Sequence, residues 1–282
     1  MVNAFSVDVE DYYQVGAFSR VISFDDWSKW ESRVVSNTRR VLDVLDSVPV
    51  PVKATFFVLG WVAERYCDLV PEIVSRGHEI ASHGFCHRLV YEQTESEFRD
   101  DVVRARQILC SQSGQDVIGF RAPSFSIVKR TSWAHEILAA AGYKYDSSVF
   151  PIYHDLHGNP DAPREIHTIE TAAGSILEFP PAVLRCFGQN LPIGGGGYFR
   201  FFPYFVTKMC LHSVNRQNMP FVFYIHPWET DPAQPRIPNA SLKSRFRHYI
   251  NLNRTTKRLK KLLKDFKFTT IKNILYQKNS DP

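Results

Sequence analysis

Apolar residues occur in short runs, and amphipathic stretches separate them. Residues 3–9 read as a buried strand, and residues 36–48 as a helix with Val41, Leu42, Val44, Leu45 and Val48 on one face. The run KATFFVL at 53–59 is the next strand. A helical stretch then reaches Arg76, interrupted at Pro71 and closed by Gly77. Residues 79–82 form a third strand. Thr94-Glu95-Ser96-Glu97 is a capping box that opens a helix to about Cys110. A fourth strand at 117–120, a helix at 131–141 ended by Gly142, and a fifth strand at 144–146 complete the first half.

Beyond Phe150 the pattern loosens. A stretch with Pro151, Pro160 and Pro163 leads to a hairpin, 167–171 with 175–179, turning at Ala-Ala-Gly. The run Gly194–Gly197 precedes a helix from about Pro203 to Arg216. Residues 221–225 are a further apolar strand, 241–265 are mostly helical, and 268–275 read as a last strand. Such alternation predicts parallel strands joined by right-handed crossovers, either as an open doubly wound sheet or as a closed barrel. No glycine-rich turn follows the first strand, so a dinucleotide site is not expected.

Charge divides the chain unevenly. The net charge of +5 combines a balance of −6 over residues 1–235 with +11 from Arg236 onward. This suggests a barrel domain at 1–235 and a basic C-terminal extension at 236–282 packed upon it. Its amphipathic part carries Leu259, Leu262, Leu263 and Phe266 on one face and Lys257, Arg258, Lys260, Lys261 and Lys264 around it. Packing on the barrel is the favoured reading, with peripheral contact to an anionic membrane as the alternative. Similar charge could serve nucleic acid, but no recognition fold accompanies it, so no nucleic-acid partner is expected. The five cysteines are odd in number and form no CxxC pair, which suits a reducing compartment. The first residues lack a basic region, and the expected location is cytoplasmic, at the inner face of the membrane. The oligomeric state is not legible.

Polar residues recur where the strands end. Asp8, Glu10 and Asp11 close the first strand, and His83 and His87 follow the third. Arg121 follows the fourth, Asp146 closes the fifth, and His226 follows FVFYI. In a barrel all these ends share one face, where barrel enzymes keep their sites. Two imidazoles and one carboxylate make a hydrolytic metal site with open positions, and Asp8 and His226 then suit a base and an acid.

Together these residues resemble the polysaccharide deacetylase family, the NodB-homology carbohydrate esterases. The quoted segments are SVDVED, Ser82-His83-Gly84-Phe85-Cys86-His87, Arg121-Ala122-Pro123, Asp146-Ser147-Ser148 and Phe223-Tyr224-Ile225-His226. The strings VDVEDYYQV, FRAPSFS, FYIHPWE and FRHYINLN look like a subfamily of exopolysaccharide and exosortase loci that carries its own C-terminal extension. The resemblance implies a distorted (β/α) barrel of about seven strands with a C-terminal helical extension. It also implies a metal-dependent hydrolase that removes acetyl from an N-acetylated sugar of a bacterial polysaccharide or its precursor.

By the same resemblance, Asp8 is the base, His226 the acid, Arg121 the partner of the base, and Asp146 the carboxylate that orients His226. His83 and His87 are metal ligands with Glu10 as the third, which period-2 geometry supports, and Asp11 as its alternative. The ion is Zn2+, with Co2+, Ni2+ or Fe2+ as alternatives. Ser124 stands where a tyrosine lends its backbone N–H to the oxyanion, and Ser148 and Tyr224 alter the acyl pocket. Ser124, Tyr224 and Tyr198 are the substrate-binding candidates. An allantoinase-like amide hydrolase and a non-catalytic glycan or membrane binder on the same fold are the alternative readings.

Overall fold

The computed structural model describes residues 1–154 and 158–276. The first half runs β1 (Val2–Val9), α1 (Val34–Asp46), β2 (Thr55–Val58), α2 (Gly60–Arg65), α3 (Leu69–Ser75), β3 (Glu79–Ser82), α4 (Glu95–Ser113), β4 (Gly119–Phe120), α5 (Ala134–Ala140) and β5 (Tyr145–Asp146). The second half adds β6 (His167–Thr171), β7 (Gly174–Glu178), β8 (Val183–Cys186), β9 (Gln189–Pro192), α6 (Gly196–Phe201), α7 (Tyr204–Arg216), β10 (Val222–Ile225), α8 (Leu242–Tyr249), α9 (Leu252–Asp265), β11 (Lys267–Thr269) and α10 (Ile271–Tyr276).

Strands β10, β1, β2, β3, β4, β5 and β7 lie side by side, all parallel. The chain leaving β7 returns beside β10 through an isolated parallel bridge, Pro181 to Val222, and the ring of seven strands closes there. The result is a distorted (β/α) barrel with a helical C-terminal region. Along β1 the period of two sends Phe5, Val7 and Val9 into the core beneath the helices, while Ala4, Ser6 and Asp8 face the barrel interior. That core includes Leu259, Leu262, Leu263 and Phe266, so α9 packs its apolar stripe inward and shows its lysines to solvent.

Two local expectations need correction. The break in the second helical stretch falls at residues 66–68, and Pro71 sits in the first turn of α3, where its missing N–H costs nothing. The 241–265 stretch is mostly helical as expected, as two helices parted at Asn251 in a left-handed conformation (φ 53°). The stretch expected as a last strand forms only β11 and then turns into α10. The reason lies inside the barrel floor. Thr55 Oγ1 accepts the Ile271 N–H at 2.8 Å and Glu79 Oε2 accepts that of Lys272 at 3.1 Å. These buried acceptors satisfy the first amides of a helix, which a strand there would leave unpaired. Ile271 then plugs the barrel bottom against Ala4, Phe57, Ala81, Tyr145, Phe179 and Val222. Among the described residues no helix is long and apolar enough to cross a membrane.

Candidate active site

Strand ends at the open side of the barrel face a cavity of about 560 Å³. Asp8, Glu10, His83, His87 and His226 line it together with Ser124, Tyr198 and Tyr224. All three substrate-binding candidates therefore meet the same space as the strand-end residues.

Glu10, His83 and His87 are buried, and their ligand atoms lie within 4.8 Å of one another. The Arg121 carbonyl, which can only accept, lies 2.8 Å from His83 Nδ1. That nitrogen must carry the proton, which leaves Nε2 with a free lone pair. Burial also lowers the His83 pKa to about 4, despite the nearby Asp8, so the ring is neutral near pH 7. Trp228 donates its indole N–H to Glu10 Oε1 at 3.2 Å, while Oε2 lies 2.6 Å from His87 Nε2 and accepts no aligned hydrogen bond. Burial raises the Glu10 pKa, but His87 and His226 outweigh it and hold the group down to about 2. An ionised buried oxygen without a donor, facing imidazole nitrogens, fits a divalent cation. His87 keeps a left-handed backbone (φ 54°), as does Ser124 (φ 52°), and both line the cavity.

Asp11 takes no part. It lies on the opposite face of the strand end, where its carboxylate accepts the N–H groups of Tyr12, Arg33 and Val34 and the Ser32 hydroxyl. It thereby anchors the start of α1. Burial raises its pKa to about 6, against the pull of these donors. The alternative of Asp11 as ligand is corrected on this geometry.

Arg121 is fully buried. It donates to Asp8 Oδ1 at 2.6 Å, to Ser6 Oγ at 2.8 Å, and to the carbonyl and hydroxyl of Ser147 at 3.1 and 2.9 Å. The Phe57 ring lies under its guanidinium at 4.1 Å. These contacts fix one oxygen of Asp8 and leave Oδ2 facing His226, 4.0 Å from its Nε2.

The assignment of Asp146 as the orienter of His226 is also corrected. His226 Nδ1 instead contacts Glu229 Oε1 at 2.7 Å, and Arg200 Nε holds Oε2 of the same carboxylate at 2.6 Å. Glu229 ends the tetrapeptide His-Pro-Trp-Glu, a short helical turn in which its carboxylate also accepts the His226 N–H at 3.0 Å. That turn brings it back to the imidazole, whereas Asp146 lies on the far side of β5. Burial lowers the His226 pKa, but Glu10, Glu229 and Asp8 outweigh it and lift the group to about 9. Burial opposes ionisation of Glu229 too, yet Arg200 and His226 hold it down to about 2. Trp228 lies flat against His226, with ring centroids 5.2 Å apart, and against His248 on its other side at 4.0 Å.

Asp146 joins a second buried group, with His135 Nε2 3.3 Å from its Oδ2 and Glu178 alongside. Ser148 donates to the other oxygen of Asp146 and accepts the Ala122 N–H at 2.7 Å. Ser148 thus ties β5 to the loop that carries Ser124. Glu229, Arg200 and the grouping of His135 and Glu178 with Asp146 were not found from the sequence. Only Glu229 left a trace there, as a carboxylate three residues after a histidine.

The glycine run lies along β10. The Tyr224 N–H donates to Gly194 O at 2.7 Å, and a Cβ on Gly195 (φ 136°) would stand 1.8 Å from Tyr224 O. Only glycine permits this approach, which sets Tyr198 at the cavity wall.

Comparison with known proteins agrees with this geometry. Residues 14–145 match the polysaccharide deacetylase family. The first half of the chain thus carries a polysaccharide deacetylase domain. Residues 147–276 match a domain of unknown function (DUF3473), and the acid candidate His226 lies in that second part. The peptidoglycan-N-acetylglucosamine deacetylase of Bacillus cereus is 32% identical over 116 residues, 41% of this chain and 40% of that protein. The chain spans less than half the length of the curated relatives it matches. Two solved structures share the fold at a TM-score of 0.62. One, from Mycobacterium smegmatis and assigned to the polysaccharide deacetylases, is 19% identical over 97% of this chain and 88% of its own. The other, the PuuE allantoinase, is 13% identical over 96% of this chain and 87% of its own.

Proposed function

We propose that the protein is a metal-dependent deacetylase that cleaves the N-acetyl amide of a sugar in a bacterial exopolysaccharide or its precursor. One observation carries this reading above the others. The ligand trio Glu10–His83–His87, the Arg121-held Asp8 and the Glu229-held His226 all converge on one cavity, although four separate strand ends supply them.

Glu10, His83 and His87 would hold the cation. Bound there, a divalent ion such as Zn2+ supplies Lewis acidity, polarising the acetyl carbonyl and acidifying a water. Asp8 is placed to take the proton of the attacking water, and Arg121 holds its carboxylate in orientation. His226 stands on the other side of the acidic pair, protonated at neutral pH, and gives its proton to the departing amine. Glu229 fixes the imidazole so that Nε2 faces the cavity, and Arg200 keeps Glu229 ionised. A backbone N–H at Ser124 assists the developing oxyanion. Water and the N-acetyl sugar become acetate and a free amino sugar.

The test is acetate release from N-acetylglucosamine oligomers and from N-acetylated exopolysaccharide fragments, using protein stripped of metal and reloaded with zinc. Release that depends on zinc supports the reading. Hydrolysis of allantoin without any acetate release overturns it.

A further inference from the structure

We infer that the cavity wall built by α6 and α8, together with α7, which follows α6 in the chain, is a docking face for an anionic lipid surface. The inference rests on the deacetylase reading only in its consequence, that the glycan presented to the site is lipid-linked. The first observation is apolar exposure beside the cavity mouth. Phe201, Phe205, Met209, Leu242 and Phe246 are each between 55% and 83% exposed. Phe205 and Met209 stand one turn apart on α7, and Leu242 and Phe246 one turn apart on α8, so each pair forms a short apolar ridge. Phe201 and Phe246 also line the cavity with Lys243 and Arg247, which makes the α8 ridge continuous with the entrance, while the α7 ridge begins four residues after Phe201. Large exposed apolar residues scattered singly need no explanation, but ridges gathered at one entrance do.

Charge decides what covers them. From residue 179 to 264 the chain has fourteen Lys or Arg and only two acidic residues, Glu229 and Asp231, both buried. The exposed surface of that segment therefore carries cations alone. Lys243, Arg245 and Arg247 flank the α8 ridge, and among the described residues none of them forms an ion pair. The lysine face of α9 adjoins α7, since Lys261 Nζ lies 6.0 Å from the Tyr204 ring. Apolar ridges bounded by an excess of cations, with Asp265, already paired to Lys208, as a partly exposed carboxylate at the α7–α9 junction, match the interface of an anionic bilayer. A neutral protein partner would leave those cations uncompensated. Docked this way, the entrance opens at headgroup level, where the sugar of a lipid-linked precursor sits. The anionic inner leaflet is the surface that fits.

The experiment is co-sedimentation of the full chain with vesicles of about 30% phosphatidylglycerol in phosphatidylcholine, against vesicles of phosphatidylcholine alone. Binding to the anionic vesicles only, released by about 1 M salt, is expected. The double substitution Phe205→Ser with Met209→Ser reduces partitioning about tenfold or more, because two buried apolar anchors are lost. Lys260→Glu with Lys264→Glu reduces it comparably, at about one kcal/mol per charge near the surface. Both doubles keep wild-type circular dichroism and wild-type turnover of soluble N-acetylated oligomers. Equal binding to neutral vesicles, no binding to either, or wild-type binding by both doubles overturns the inference. A dimer in solution that Phe205→Ser converts to monomer, with no vesicle binding, also overturns it and assigns the face to self-association. Vesicle binding without any acetate release would leave the docking face standing and sink the deacetylase reading.

Discussion

Among the described residues, two buried histidine–carboxylate groups could each hold an ion, and only one of them has the surroundings of a reactive centre. Glu10, His83 and His87 open onto a cavity of about 560 Å³, while His135, Asp146 and Glu178 are sealed behind β5. The donor types are nearly the same, and in each group the ligand atoms lie within 4.8 Å of one another. Their neighbours differ. Around the first group, His87 and His226 hold Glu10 ionised, Arg200 holds Glu229 ionised, and Glu10 and Glu229 keep His226 protonated, so charge is kept available. Around the second group, burial and the adjacent Asp146 raise Glu178 well above the ordinary carboxyl range, so charge is suppressed. Donor composition alone does not make a centre; access to a cavity and counter-charges that keep the groups ionised do.

The largest effect that sharpens this contrast comes from the open group. Glu10→Ala or His83→Ala should remove bound metal and lower acetate release on the order of a thousandfold or more, since the ion's Lewis acidity is lost. Metal content by mass spectrometry and acetate release check this together. Full metal content in both variants would erase the distinction drawn between the groups.

A smaller effect is expected at Glu229, which acts through His226. Its charge helps lift His226 to about 9, so Glu229→Gln lowers that value. His226 must be protonated to donate, and the activity it supports is lost as pH rises through its pKa. The alkaline limb of kcat should therefore move to lower pH, with a loss of about tenfold to a hundredfold at neutral pH. An unmoved limb would contradict the role of Glu229.

The smallest effect belongs to the sealed group. In the folded protein Glu178 keeps its proton well above the pH at which it ionises when unfolded. Its contribution to stability is therefore complete at low pH and falls as pH rises above the ordinary carboxyl range. Glu178→Gln should flatten that decline, change stability at pH 7 by less than about 1 kcal/mol, and leave the metal content unchanged. Urea unfolding at several pH values and metal analysis read both. Loss of metal on Glu178→Gln would place an ion in the sealed group instead.

How much of this was legible in the sequence follows from how local each signal is. Asp8 and Glu10 share a strand face, His83 and His87 share a loop, and Arg121 follows a strand, so spacing alone placed them. The alternation of strands and helices likewise predicted parallel strands, and the family resemblance chose the closed barrel over the open sheet. The partner of His226 was missed because it depends on a short helical turn that returns Glu229 to the imidazole, and the resemblance pointed to Asp146 instead. Arg200 was hidden for a different reason, since it reaches Glu229 only once the glycine run has pressed α6 against β10. The last stretch was read as a strand from its apolar residues, yet Thr55 and Glu79, some two hundred positions earlier, turn it into α10.

The central claim is that Asp8 serves as the base of a deacetylation beside a cation it does not hold. Zinc-loaded Asp8→Asn protein, assayed for acetate release and metal content in one preparation, tests it most directly. The account predicts wild-type zinc content with acetate release reduced on the order of a hundredfold to ten-thousandfold. Release at the wild-type rate, or zinc lost along with activity, would contradict it.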